Sequence, residues 1–177
     1  MELSKEVFFV RQRKNSQGSA GSLPGSLDPK IRPLVRVING GGFAETIMSC
    51  QGHKDGDPFP WVDIPEGQYS DEFREALGDY NESEAEFEWA FGPTRYVSAR
   101  GWRWRERLEK CIYRLFPRPA LNGERKHPEN GRTMLDTVSD PGDIGYPLEE
   151  LQDGALDLAK YLENWKRASP GTQEGVK

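Results

Sequence analysis

Phe43-Ala44-Glu45-Thr46-Ile47-Met48-Ser49-Cys50-Gln51-Gly52-His53-Lys54-Asp55-Gly56-Asp57-Pro58-Phe59-Pro60-Trp61-Val62-Asp63-Ile64 is the stretch that decides the fold. Residues 43–49, with Thr46, Ile47 and Met48, read as a strand leaving the glycine run 40–42. Trp61 to Ile64 reads as a second strand, and Lys54 to Pro58 is turn chemistry. The economical expectation is a hairpin with a long loop.

On the N-terminal side, Asp28 is placed to cap a helix and Pro29 suits its first position. Ile31, Leu34, Val35 and Ile38 then follow the i, i+3, i+4, i+7 spacing of a buried face. Gly40 to Gly42 stop that helix, and Pro33 is tolerable near its first turn. Further out, Val7-Phe8-Phe9-Val10 reads as a short strand. Residues 11–27, dominated by Arg, Lys, Ser, Gln and Gly, read as a flexible linker.

On the C-terminal side, Ser70 precedes Asp71-Glu72-Phe73-Arg74-Glu75-Ala76-Leu77, a helix start with acids at the positive end of its dipole, and Gly78 closes it. Phe87 to Phe91, Arg95 to Val97 and Cys111 to Phe116 read as strands, the last ended by Pro117 and Pro119. Residues 117–147 hold five of the thirteen prolines and no sustained periodicity, so they read as a long irregular excursion. From Pro147 to about Trp165, Leu148, Leu151, Ala155, Leu158, Leu162 and Trp165 recur at helical spacing despite Gly154. Residues 169–177 read as a tail.

Together these elements predict an α+β architecture, a small antiparallel sheet with helices packed mainly on one face, as a single domain over 28–168. The length of 177 residues suits one domain with tails, and 11% aromatic residues argue against wholesale disorder although 30% of the chain is charged. A net charge of -5 disfavours global attraction to polyanions, leaving local patches to decide. No stretch approaches the roughly 18–20 apolar residues of a membrane helix, and the start lacks the apolar segment of a secretory signal. A cytoplasmic protein is expected, with no membrane partner and with Cys50 and Cys111 as thiols.

The first candidate site is Ser49-Cys50-Gln51-Gly52-His53, at the end of the first strand. It offers a hydroxyl, a thiol, an imidazole and a glycine permitting close backbone approach. Cys50 and His53 could supply two zinc ligands, or His53 could lower the thiol pKa to make a nucleophile. The plainer reading has Cys50 in the core and Gly52-His53 in a tight turn. Beyond these two, the Cys and His of the chain are Cys111 and His127. Asp55 or Asp57 could add a carboxylate, but too few Cys and His are present to close a structural site, so no tightly bound metal and no cofactor are expected.

This segment resembles an element of small uncharacterised bacterial and phage proteins. They carry Thr-x-x-Ser-Cys-x-Gly-His between a first helix and a hairpin, matched here by Thr46, Ser49, Cys50, Gly52 and His53. The resemblance spans roughly residues 30–64 and implies no settled activity. Ser49-Cys50-Gln51-Gly52 is also similar to the Ser-Cys-x-Gly motif of the third-step methyltransferases of wybutosine synthesis, which implies action on transfer RNA.

The second candidate is the run from Arg95 through Arg107. Between Arg95 and Arg118 there are seven Arg and one Lys against two Glu, inside an acidic protein. If 102–107 is extended, Trp102 and Trp104 share one face while Arg103, Arg105 and Arg107 share the other. Arg forks match phosphate oxygens, and Trp planes stack on bases. Alternatively the arginines pair with acids of the same chain, such as those of the Glu-rich segment 82–88, or 103–110 is helical and the charges pair along it.

Three functions follow from these sites. One is a binding module for a phosphate-bearing ligand, a nucleotide or nucleic acid, using Arg103, Trp104, Arg105 and Arg107 with Ser49, Gly52 and His53. Another is an enzyme built on Cys50 and His53. The third is a bacterial or phage protein that binds a host protein through its acidic surface. The GxGxxG, Walker, nucleophile-elbow and HExxH patterns are absent from the sequence.

Overall fold

The structure, a computed structural model, describes residues 27–100, 107–128 and 130–169, with side chains undescribed at 96–100 and 107–110. The expected strand at 7–10, the linker, and Arg103, Trp104 and Arg105 lie outside the described residues. The elements in chain order are α1 (Arg32–Gly40), β1 (Met48–Cys50), β2 (Trp61–Pro65), α2 (Asp71–Asn81), β3 (Trp89–Arg100), β4 (Arg107–Pro117), β5 (Leu121–Lys126), β6 (Thr133–Thr137) and α3 (Leu148–Ala168). The strands form an antiparallel four-stranded sheet ordered β1-β2-β4-β3 and a separate antiparallel β5-β6 pair. The fold is α+β, as its hydrophobic pattern predicts.

Helix α1 buries Leu34, Val35 and Ile38, with Ile31 buried just before it. It starts later than the sequence suggests, and Asp28 does not cap it. The N–H of Arg32 is donated to the backbone carbonyl of Asp28 at 3.0 Å, and no side chain caps the helix. Pro33, in the first turn, has no N–H to satisfy there, so the helix begins around it. The Asp28 carboxylate turns instead to the loop after β1, accepting from the N–H of Gln51 at 3.3 Å.

The strand expected at 43–49 is reduced to Met48–Cys50. The backbone before it pairs elsewhere: the N–H of Glu45 donates to Gln68 O, and Phe43 O accepts from the N–H of Ser70. Asn39 fixes this departure, donating to Thr46 Oγ1 at 2.8 Å and accepting from the Thr46 N–H at 3.0 Å. With those groups committed, the Ile47 N–H, which donates to Asp63 O at 2.9 Å, carries the contact with β2 before Met48. β1 is therefore a short edge strand, paired to β2 from Met48↔Asp63 to Cys50↔Trp61.

Ser70 caps α2 as expected, its Oγ accepting from the N–H of Phe73 at 3.2 Å. Gly78 does not end that helix, which runs on to Asn81. The two strands expected at 87–91 and 95–97 are one, β3, with a register shift between Pro93 and Arg95. Pro93 is accommodated because β3 is an edge strand and Pro93 sits at a bulge.

The excursion expected at 117–147 contains the β5-β6 hairpin. Four of the six residues of β5 are exposed and β6 is mostly half-buried, so no apolar alternation marks the hairpin. The backbone ladder and cross-strand pairs such as Arg125 Nε to Asp136 Oδ1 at 2.6 Å hold it. Fully buried Met134 packs with Cys111 and Tyr113, and Leu135 lies against Gly92.

Opposed residues of an antiparallel pair share a face. The registers Val62↔Leu115 and Ile64↔Tyr113 therefore define one face of the sheet. Val62, Ile64 and Leu115 are fully buried in one cluster with Leu34 of α1, Phe73 of α2 and Leu158 of α3. The other face carries Met48, Cys50, Trp61, Asp63 and Arg114. Among the described residues, no helix is long and apolar enough to cross a membrane.

Candidate functional site

Cys50 ends β1, and the chain then turns at Gly52, whose φ is +85°. A Cβ there would come within 2.8 Å of the Phe59 carbonyl carbon and 2.7 Å of Leu148, so the turn requires glycine. The N–H of Gly52 donates back to Cys50 Sγ at 3.3 Å, and the N–H of His53 donates to Asp57 O at 2.8 Å. Gln152, a buried polar residue of α3, donates to Gln51 O at 3.0 Å. The loop is thus tied to α3, to its own far side and, through Asp28, to the segment before α1.

This tying brings Asp28, Cys50 and His53 together: their ligand atoms all lie within 4.8 Å of one another. His53 Nε2 is 3.7 Å from Asp28 Oδ2, both side chains being partly exposed. Asp28 is the residue that sequence reasoning missed in this site, having been assigned to the helix. Ser49, opposite Val62, faces away from Cys50, because successive strand residues alternate. Asp57 is engaged by Trp61, whose Nε1 donates to Oδ2 at 2.6 Å. Cys111 is buried beside Tyr113 and Met134, and His127 lies in the turn of the β5-β6 hairpin.

Burial pushes the Cys50 thiol up, and Asp28 and Asp57 push it further, outweighing the opposing Gly52 N–H and Arg114. A thiol kept protonated is a poor nucleophile. Cys50 and His53 lie close together, and the burial of the thiol works against thiolate formation.

On the same sheet face lies a buried ionic cluster. Asp63 is fully buried in β2. Arg114 holds it with Nε to Oδ1 at 2.7 Å and Nη2 to Oδ2 at 3.1 Å, and Arg95 Nη2 reaches Oδ2 at 2.6 Å. The bulge in β3 makes this possible. Without it Arg95 would oppose Cys111, on the Tyr113 face, whereas the shift sets it opposite Ile112 and on the face of Arg114. The Arg114 guanidinium also lies over the Trp61 ring at 3.8 Å. Arg118 pairs with Glu88. Three of the arginines in the basic run are thus matched by acids of the chain.

The rest of that run has a different setting. β2 pairs with β4 only from Ile112 to Leu115, while β3 and β4 continue together from Tyr96↔Cys111 to Arg100↔Arg107. This continuation is a two-stranded ribbon that reaches Arg100 in β3 and Arg107 in β4. Arg107, one of the expected ligand residues, stands at its end with Arg100 directly across.

Two clefts lie among the described residues. One of about 360 Å³ is lined by Tyr80, Glu84, Glu86, Phe87 and Asp157 and is acidic. The other, of about 380 Å³, has Arg36, Lys166 and Arg167 at its rim, but Lys166 pairs with Glu72 and Arg167 with Glu163. No protein family matches this chain, and neither does any curated protein or solved structure.

Proposed function

We propose that the protein binds a phosphate-bearing polymer, a nucleic-acid strand, along the β3-β4 ribbon. The observation that carries this reading is the register Arg100↔Arg107 in a segment where, among the described residues, β3 and β4 pair only with each other. Like charges directly opposed on a sheet destabilise it. Residues 100–110 concentrate four Arg and one Lys against two Glu. Phosphates spaced along a nucleic-acid strand supply counter-charge to such a run. Trp102 and Trp104, in the same segment, suit base stacking. Charges distributed along a ribbon favour a polymer over a free nucleotide, which needs a concave site.

Binding of labelled RNA and DNA oligonucleotides at low salt, compared between the native chain and an Arg100→Ala, Arg107→Ala double variant, tests the proposal. Weakened binding with a melting temperature that is unchanged or raised is expected, because the variant also relieves the opposed charges. Equal binding by both proteins would reject it.

A further inference from the structure

Asp28 arrives at the β1 loop from the segment before α1, Cys50 from the end of an edge strand and His53 from the turn that follows. Three different donor chemistries thereby converge at one half-exposed corner. We propose that Asp28, Cys50 and His53 form a three-ligand site for a divalent transition metal of the zinc class, its fourth position open to water or an added ligand.

The geometry is close to what such an ion requires. Oxygen and nitrogen ligands at about 2.0–2.1 Å from a tetrahedral zinc stand about 3.4 Å apart. His53 Nε2 and Asp28 Oδ2 are 3.7 Å apart. With all three ligand atoms within 4.8 Å, side-chain rotation suffices to close the set. Sulfur, imidazole and carboxylate together select zinc, cobalt or iron(II) over magnesium and calcium, which prefer oxygen alone. A thiolate and a carboxylate carry two negative charges, matching a dication.

The groups behind the ligands hold them in place. The Gln51 N–H donates to Asp28 Oδ2, the Gly52 N–H donates to Cys50 Sγ, and buried Gln152 anchors the peptide between them. Such outer hydrogen bonds orient ligands before metal arrives. The expectation of no metal from the sequence weighed Asp55 and Asp57 as added carboxylates, not Asp28, and required a closed structural site. The third donor is a carboxylate brought from beyond α1, and an open site needs three protein ligands, where a closed one needs four.

The test is titration of the full chain, stripped with chelator, with Co²⁺ and then Zn²⁺. One Co²⁺ per chain is expected, with a thiolate-to-cobalt charge-transfer band that Zn²⁺ abolishes and that disappears in Cys50→Ser. Asp28→Asn and His53→Gln should each weaken binding at least about tenfold, while Cys111→Ser and His127→Gln leave it unchanged. Circular dichroism of the Asp28 and His53 variants should match the native chain, since both side chains are partly exposed. A missing charge-transfer band, a band that survives Cys50→Ser, or affinity indifferent to both Asp28→Asn and His53→Gln would overturn the proposal.

Discussion

Arg114 grips Asp63 with two parallel hydrogen bonds, Nε to Oδ1 at 2.7 Å and Nη2 to Oδ2 at 3.1 Å, in the middle of the sheet. Both partners are withdrawn from water, Asp63 completely and Arg114 to 11% side-chain exposure. Removing one side of such a pair leaves a buried charge without its counterpart, at a cost of about 3–5 kcal/mol. Asp63→Ala and Arg114→Ala should each lower unfolding free energy by that order in denaturant titration. Arg95→Ala should cost less, because its side chain is 42% exposed and Arg114 still holds the carboxylate. Equal costs for Arg95→Ala and Arg114→Ala would show that the bidentate pair is not the dominant contact.

Two helical glycines should respond oppositely to alanine. A Cβ at Gly78 meets nothing within 4 Å, so Gly78→Ala should stabilise α2 by about 0.5–1 kcal/mol. At Gly154 a Cβ would lie 2.2 Å from the Phe87 ring, so Gly154→Ala should destabilise by about 1–3 kcal/mol despite better helix propensity. Thermal melts of the two variants check the pair. A stabilised Gly154→Ala would mean that Phe87 does not pack on α3 as described.

Burial pushes the Tyr80 phenol from 10.0 to about 12, with Asp157 and Glu86 acting in the same direction. The folded chain therefore holds this proton more tightly than the unfolded one. The resulting stability is fully present below pH 10 and is lost as pH rises through about 12. Tyr80→Phe should lessen the alkaline loss of stability, measured by denaturant titration across that window. An identical loss in the variant would assign it to other groups.

The features legible in the sequence were those with periodic burial. The apolar stripe of α1, the Ser70 cap of α2 and the long apolar face of α3 are each present. The β5-β6 hairpin was illegible because Asn122, Glu124, Arg125 and Lys126 are exposed, leaving no apolar alternation to read. Asp28 shows a different limit: a residue chemically suited to cap a helix was used across the fold, where its carboxylate meets Gln51 and His53. Asp63 did leave a signal, a single acid inside the apolar run Trp61-Val62-Asp63-Ile64. A charge buried in a strand demands a partner, and the arginines downstream were the available ones. Which arginine would reach it depended on the bulge after Pro93, which local pattern does not reveal.

The salt dependence of nucleic-acid binding tests the central proposal most directly. Affinity for a short single-stranded oligonucleotide, measured across a salt series, should fall linearly in log–log form. Arg103→Ala with Arg105→Ala should make the slope shallower by about 0.7 for each phosphate contact removed, with the melting temperature nearly unchanged. Slope and affinity that stay the same in the double variant, or no binding by the native chain even at the lowest salt, would contradict a nucleic-acid-binding ribbon and favour a protein partner.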